Sequence, residues 1–186
     1  MKKIYLTLAF LVAITLTSCG QSEDQNKESE ASIETNQSEA QTKNEKDDDL
    51  FEQEDGKLVS LDKEADKLDA PALKTILDKD SKTVEIYPAD ENGEVGSDYY
   101  KFDIENNTYE KYKYVSAMGE GFYYTGDLDT CELEKIENKD HDDVTESVKE
   151  AGRYDKAAEK TKSEIKDLKS YFEARYNMTM QGALDK

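Results

Sequence analysis

The chain has no tryptophan, only two prolines and a single histidine, and just two cysteines among 186 residues. Each scarcity removes a class of function. One histidine, His141 between Asp140 and Asp142, cannot supply the paired imidazoles of a common zinc site, and no nucleophile motif accompanies it as a catalytic base. It reads as a solvated loop residue. The sequence contains no G-x-S-x-G, no H-E-x-x-H, no phosphate-cradling glycine loop and no dinucleotide fingerprint. Without tryptophan, sugar stacking would fall to tyrosine.

Positive charge is also sparse: 25 Lys and Arg stand against 44 Asp and Glu, for a net charge of −19. Such a balance repels nucleic acid and anionic lipid alike, so no nucleic-acid partner is expected. A cationic peptide, a basic protein patch or a divalent metal are the partners that electrostatics favours, and high acidity also keeps an exposed protein soluble.

The one long apolar run lies at the start. Met1, Lys2 and Lys3 precede thirteen uncharged residues, Ile4 to Leu16, whereas crossing ~30 Å of hydrocarbon takes about 20. A charged start, a short apolar run and then small residues form a secretory signal. Leu16-Thr17-Ser18-Cys19 closely resembles the lipobox of bacterial lipoproteins. That resemblance implies a diacylglyceryl group on the Cys19 thiol, cleavage before Cys19, and attachment to a membrane through the lipid. Gly20, where an aspartate favours inner-membrane retention in enteric bacteria, hints at the outer membrane or cell surface. Two or three acyl chains hold a protein firmly, since each buried methylene contributes about 0.8 kcal/mol. Cys131 is then left without a disulfide partner, either as a small buried residue or as a free thiol.

Three domains of composition follow: residues 1–18 as signal peptide, 19–56 as lipidated cysteine and acidic tether, and 57–186 as one folded domain. From Gly20 to about Asp49 only Ile33 is a large apolar residue, too little to offset the entropy of ordering. A flexible segment of ~30 residues reaches roughly 30 Å. It reads as a tether, with a recognition tail at Asp47-Asp48-Asp49 as the alternative.

Leu61, Ala65, Leu68, Leu73, Ile76 and Leu77 fit a helical stripe interrupted by Pro71. From Thr83 the period drops to two, through Val84 and Ile86, and Asp90-Glu91-Asn92-Gly93 signals a turn. Tyr100 and Phe102 face one way, and pairing them with Tyr114 and Tyr112 sets Asp103 opposite Lys111. A further hairpin turns at Gly126-Asp127. From Val144 to Tyr176 apolar residues recur at spacings of three and four, a helix of roughly 50 Å if unbroken, with Gly152 as its weak point. The expected fold is α+β: an N-terminal helix, an antiparallel meander of four or five strands and a long C-terminal helix. That order is loosely similar to small lipoproteins with a cystatin-like fold.

Asp90, Asn92 and Gly93 match the middle of an EF-hand loop, but Pro88 and Tyr99 occupy its two ends. No metal and no cofactor are therefore expected, and carboxylate pairs are too numerous to point to hydrolysis. The more informative enrichment is tyrosine, with eight of twelve between Tyr87 and Tyr124. Adjacent pairs in a strand point to opposite faces, so Tyr99 or Tyr100, and Tyr123 or Tyr124, leave the core. Together with Tyr112 and Tyr114 these are the candidate binding residues, since exposed tyrosine is amphipathic and loses little entropy on ordering. The functional expectation is a non-catalytic, lipid-anchored envelope lipoprotein that binds a protein or peptide. The alternative is a small carboxylate-based or calcium-dependent hydrolase.

Overall fold

A computed structural model describes residues 50–186. The signal peptide, Cys19 and all but the last residues of the expected tether lie outside the described residues. The sheet starts at Glu52, within the stretch 19–56.

Eight strands run in sequence order across one antiparallel sheet: β1 (Glu52–Glu54), β2 (Lys57–Asp62), β3 (Ala72–Asp78), β4 (Thr83–Ala89), β5 (Tyr99–Asp103), β6 (Thr108–Val115), β7 (Glu120–Asp127) and β8 (Leu133–Asn138). Three helices follow, α1 (Thr145–Glu150), α2 (Tyr154–Tyr176) and α3 (Met180–Asp185). This corrects the expected fold in two places. The described residues hold no N-terminal helix, and the meander is eight strands long rather than four or five. The likeness to a helix-then-meander cystatin-like order goes with them.

The physical reason lies between Leu58 and Leu77. Its apolar residues form two short clusters, and a short apolar run satisfies a helical and an extended period equally well. Leu73, Thr75 and Leu77 alternate toward the core, and the chain between the strands turns through Leu68 and Asp69, both at positive φ. Two consecutive left-handed residues do not fit an α-helix.

The β5–β6 register also differs from the expected one. Phe102 faces Tyr109 and Asp103 faces Thr108, around a four-residue turn. The Asp103 carboxylate accepts the Asn106 backbone N–H at 3.0 Å and its side-chain amide at 2.8 Å, so it holds the turn instead of meeting Lys111. The following hairpin turns later than Gly126-Asp127. Both residues belong to β7, and Asp127 accepts the Thr130 N–H at 2.8 Å.

At the C-terminus the helical pattern breaks at Gly152, whose φ of +65° suits glycine. Beyond it, α2 turns Thr161, Ile165, Leu168, Tyr171, Phe172 and Tyr176 onto the sheet, residues three or four apart along one stripe. At about 34 Å, 23 residues of helix match the width of several strands. One apolar cluster joins Leu73, Val84, Ile86 and Phe102 to Ile165, Leu168 and Phe172, and a smaller one joins Phe122, Leu133 and Ile136 to Val148 and Tyr154. Between them Lys111, 4% exposed, reaches Glu164 Oε2 at 2.5 Å and Thr161 Oγ1 at 3.3 Å. The buried carboxylate of Asp62 ties β2 to α2, accepting from Tyr171 Oη at 3.0 Å and pairing with Arg175 Nε at 3.1 Å.

Candidate functional site

All three helices pack against one face of the sheet, and among the described residues no helix covers the other. Strand alternation decides what each face carries. Val84, Ile86, Tyr100 and Phe102 point at α2, so their neighbours Glu85, Tyr87, Tyr99 and Lys101 point away.

On that open face four tyrosines from four adjacent strands stand in a row: Tyr87 of β4, Tyr99 of β5, Tyr112 of β6 and Tyr123 of β7. Their ring centroids lie 6.0, 5.8 and 4.9 Å apart in that order. Tyr99 pairs directly with Tyr112, and Tyr112 with Tyr123, which is the arrangement in which cross-strand aromatic pairs contribute most. His141 extends the row, stacked on Tyr123 at 4.3 Å with 23° between the ring planes. It reaches that position because its residue has φ +62° and its loop is folded over Asn138, whose side-chain oxygen accepts the N–H groups of Asp140 and Asp142 at 2.9 Å each.

The hydroxyls are anchored along the strands. Tyr87 Oη donates to Glu85 Oε2 at 2.6 Å and Tyr99 Oη to Glu110 Oε1 at 2.7 Å. Partial burial first, and the neighbouring carboxylate second, push both phenols well above the usual value of 10.0. Tyr112 lies down over Gly121, where an added Cβ would collide with its hydroxyl oxygen. Glycine at 121 is thus the space the ring occupies. Beside the aromatic row runs a row of alternating charge, Glu85, Lys101 and Glu110, in direct cross-strand register.

Of the six candidate tyrosines, the structure brings Tyr99, Tyr112 and Tyr123 together. Tyr114 shares their face but stands off the row, 46% exposed, opposite Gly121. Tyr100 and Tyr124 point to the helices: Tyr100 is buried, and Tyr124 is half-buried with Lys111 Nζ 4.9 Å above its ring. Two members were missed. Tyr87 was legible from the outward parity of Glu85, whereas nothing local to His141 signals a ring stacked across a loop.

The acidic residues of the turns hold the backbone. Asp90 accepts the N–H groups of Asn92 and Glu94 at 2.9 and 2.8 Å, an Asx turn rather than a calcium loop. Among the described residues no three His, Cys, Asp or Glu side chains are grouped to hold a metal ion, and no helix is long and apolar enough to cross a membrane. Cys131 is buried, its Sγ 3.4 Å from the Leu128 carbonyl oxygen. In comparisons with family models, curated proteins and solved structures, nothing matches this chain.

Proposed function

We propose that the chain is a lipid-anchored lipoprotein of a bacterial envelope whose eight-stranded domain is a non-catalytic binding module for a protein or peptide. Its open sheet face is the surface presented. The observation that carries this reading is the row of four tyrosines on that face. Aromatic residues in contact with solvent keep apolar area out of the core, and a contiguous set of them is the usual composition of a recognition surface. The lipobox-like Leu16-Thr17-Ser18-Cys19 supplies the anchor, on the outer membrane or cell surface. The polar stretch behind it supplies the reach.

Two measurements test the two halves. Cells fed a clickable palmitate analogue should label the wild-type chain and not a Cys19→Ala variant; equal labelling would remove the anchor. A photoreactive residue at Tyr99 or Tyr123, activated in whole cells, should capture a discrete protein. The same residue on the helix-covered side, at Tyr100, should not. Capture of nothing from either open-face position would remove the binding module.

A further inference from the structure

In an antiparallel meander alternate turns share one end of the sheet. Four connections lie at one end, residues 63–71 after β2, 90–98 after β4, 116–119 after β6 and 139–144 after β8, and the last three border the strands that carry the tyrosine row. The row itself lies at this end, because Tyr99 is the first residue of β5 and Tyr87 is two short of the last of β4. Residues 90–98 hold four acids and no base, and residues 139–144 hold three acids and one lysine. At the opposite end, residues 79–82, 104–107 and 128–132 together hold four acids and two lysines. The negative potential is therefore concentrated along the rim beside the rings. Lysines on the open face are held by carboxylates: Lys74 lies 3.7 Å from Glu54 and Lys135 2.6 Å from Glu137. Lys101 stands between Glu85 and Glu110.

The hydroxyls of Tyr87 and Tyr99 already donate to Glu85 and Glu110. Those two rings thus offer π-surface backed by negative charge rather than free donors. That combination attracts cations, and a planar guanidinium most of all, because it both stacks and pairs with carboxylates. Length narrows the occupant further. Four rings on neighbouring strands and His141 in the loop beyond them, with centroids 6.0, 5.8, 4.9 and 4.3 Å apart in turn, make a track of roughly 20 Å, and an extended chain rising ~3.3 Å per residue covers it in about seven residues with alternate side chains facing the rings.

From this we infer that the row and its acidic rim receive an extended basic segment of another protein, about seven residues long with Arg or Lys at alternate positions. The inference rests on the open face being a binding surface and names what binds there. The rim draws the segment in, and the rings select side chains that are flat and cationic.

Fluorescence anisotropy of a labelled peptide alternating Arg with Ser over seven residues, titrated with the detergent-solubilised full chain, tests it. The arginine peptide should bind and its glutamate counterpart should not. Tyr112→Ala with Tyr123→Ala should weaken binding at least about tenfold, equivalent to 1.4 kcal/mol, while Tyr114→Ala, on the same face but off the row, should change it less than twofold. Circular dichroism melts keep loss of fold apart from loss of binding. Where the double variant melts early, Gly121→Ala, whose added methyl meets the Tyr112 ring first, takes its place with the same expectation of weakened binding. An arginine peptide that fails to bind, or one bound equally by wild type and row variants, overturns the inference. If in-cell crosslinking at Tyr99 meanwhile captures a neutral or acidic partner, the binding-surface reading survives and this inference alone falls.

Discussion

Both faces of the sheet are rich in tyrosine, and they use it in opposite ways. On the covered side Tyr100 and Tyr109 of the sheet, with Tyr171 and Tyr176 of α2, are buried in the apolar cluster between sheet and helices. On the open face Tyr87, Tyr99, Tyr112 and Tyr123 touch mainly one another, in a single line across four strands. The first arrangement removes area from water and holds the helices to the sheet. The second leaves the rings half in water, so folding alone gains less from having aromatics there. A side chain whose contribution to folding is small but whose placement is regular is better explained by what it meets than by what it supports.

That contrast makes a quantitative claim, and the covered face carries the larger share. Phe172 is fully buried in the cluster that joins α2 to the sheet, its ring centroid 4.7 Å from that of Tyr176. Phe172→Ala should cost about 3–5 kcal/mol in urea unfolding. Tyr112→Ala, which loses lateral contacts in a half-exposed row, should cost about 1 kcal/mol. Equal losses at the two positions would mean that the open face is structural, and the argument for recognition would go with it.

The covered face also holds a flaw that the open face lacks. Thr75 is fully buried with its hydroxyl oxygen unpartnered among the described residues. Thr75→Val keeps the shape and deletes the unsatisfied oxygen, so it should stabilise the domain by roughly 1 kcal/mol. A destabilised Thr75→Val protein would indicate a hydroxyl partner in solution.

How much of this was readable beforehand follows from the same division. From Thr83 to Ile86 and from Tyr100 to Phe102 the alternation of apolar and charged residues is strict, and the strands lie where that alternation puts them. The stretch from Leu61 to Leu77 misled because Leu73 and Leu77 lie four apart, a spacing shared by one helical turn and by alternate positions of a strand. Only the two left-handed residues Leu68 and Asp69 decide the matter; aspartate tolerates that conformation, but leucine does not signal it. The break at Gly152 was legible as a weak point, while the β5–β6 register was not. Cross-strand charge favoured Asp103 opposite Lys111, but the carboxylate found nearer donors in its own turn. Lys111 was left facing inward, opposite Tyr100 and Tyr124, with Glu164 of α2 as its partner. Three of the row's five rings, Tyr99, Tyr112 and Tyr123, were legible as candidates, but not as a row, for a simple reason: parity assigns a face, but pairing needs the register.

A finer probe of the row takes Gly121→Ala. The nearest atoms the added methyl meets are the far end of the Tyr112 ring, so the ring must swing off the sheet. The expected stability loss is under about 1 kcal/mol, with a change in near-ultraviolet dichroism from the displaced tyrosine. An unchanged aromatic spectrum would show that the ring does not lie over residue 121.

The smallest effect is a titration. The phenols of Tyr87 and Tyr99 are held above their ordinary value of 10.0, by burial and then by the carboxylates of Glu85 and Glu110. A group whose folded-state value is raised binds its proton more tightly in the folded protein. Its stabilising contribution is therefore complete below pH 10, the unfolded value, and is lost as pH climbs toward the folded one. Phenolate absorbance should show these two tyrosines ionising above the ordinary value of 10.0, and Glu110→Gln should bring Tyr99 down toward it. Each ionisation would place a new negative charge beside a carboxylate in the row, so the alkaline limb should loosen the open face before the helices melt. If the helical dichroism and the phenolate signal change together, the two faces unfold as one unit, and the row is no more separable from the core than Tyr100 is.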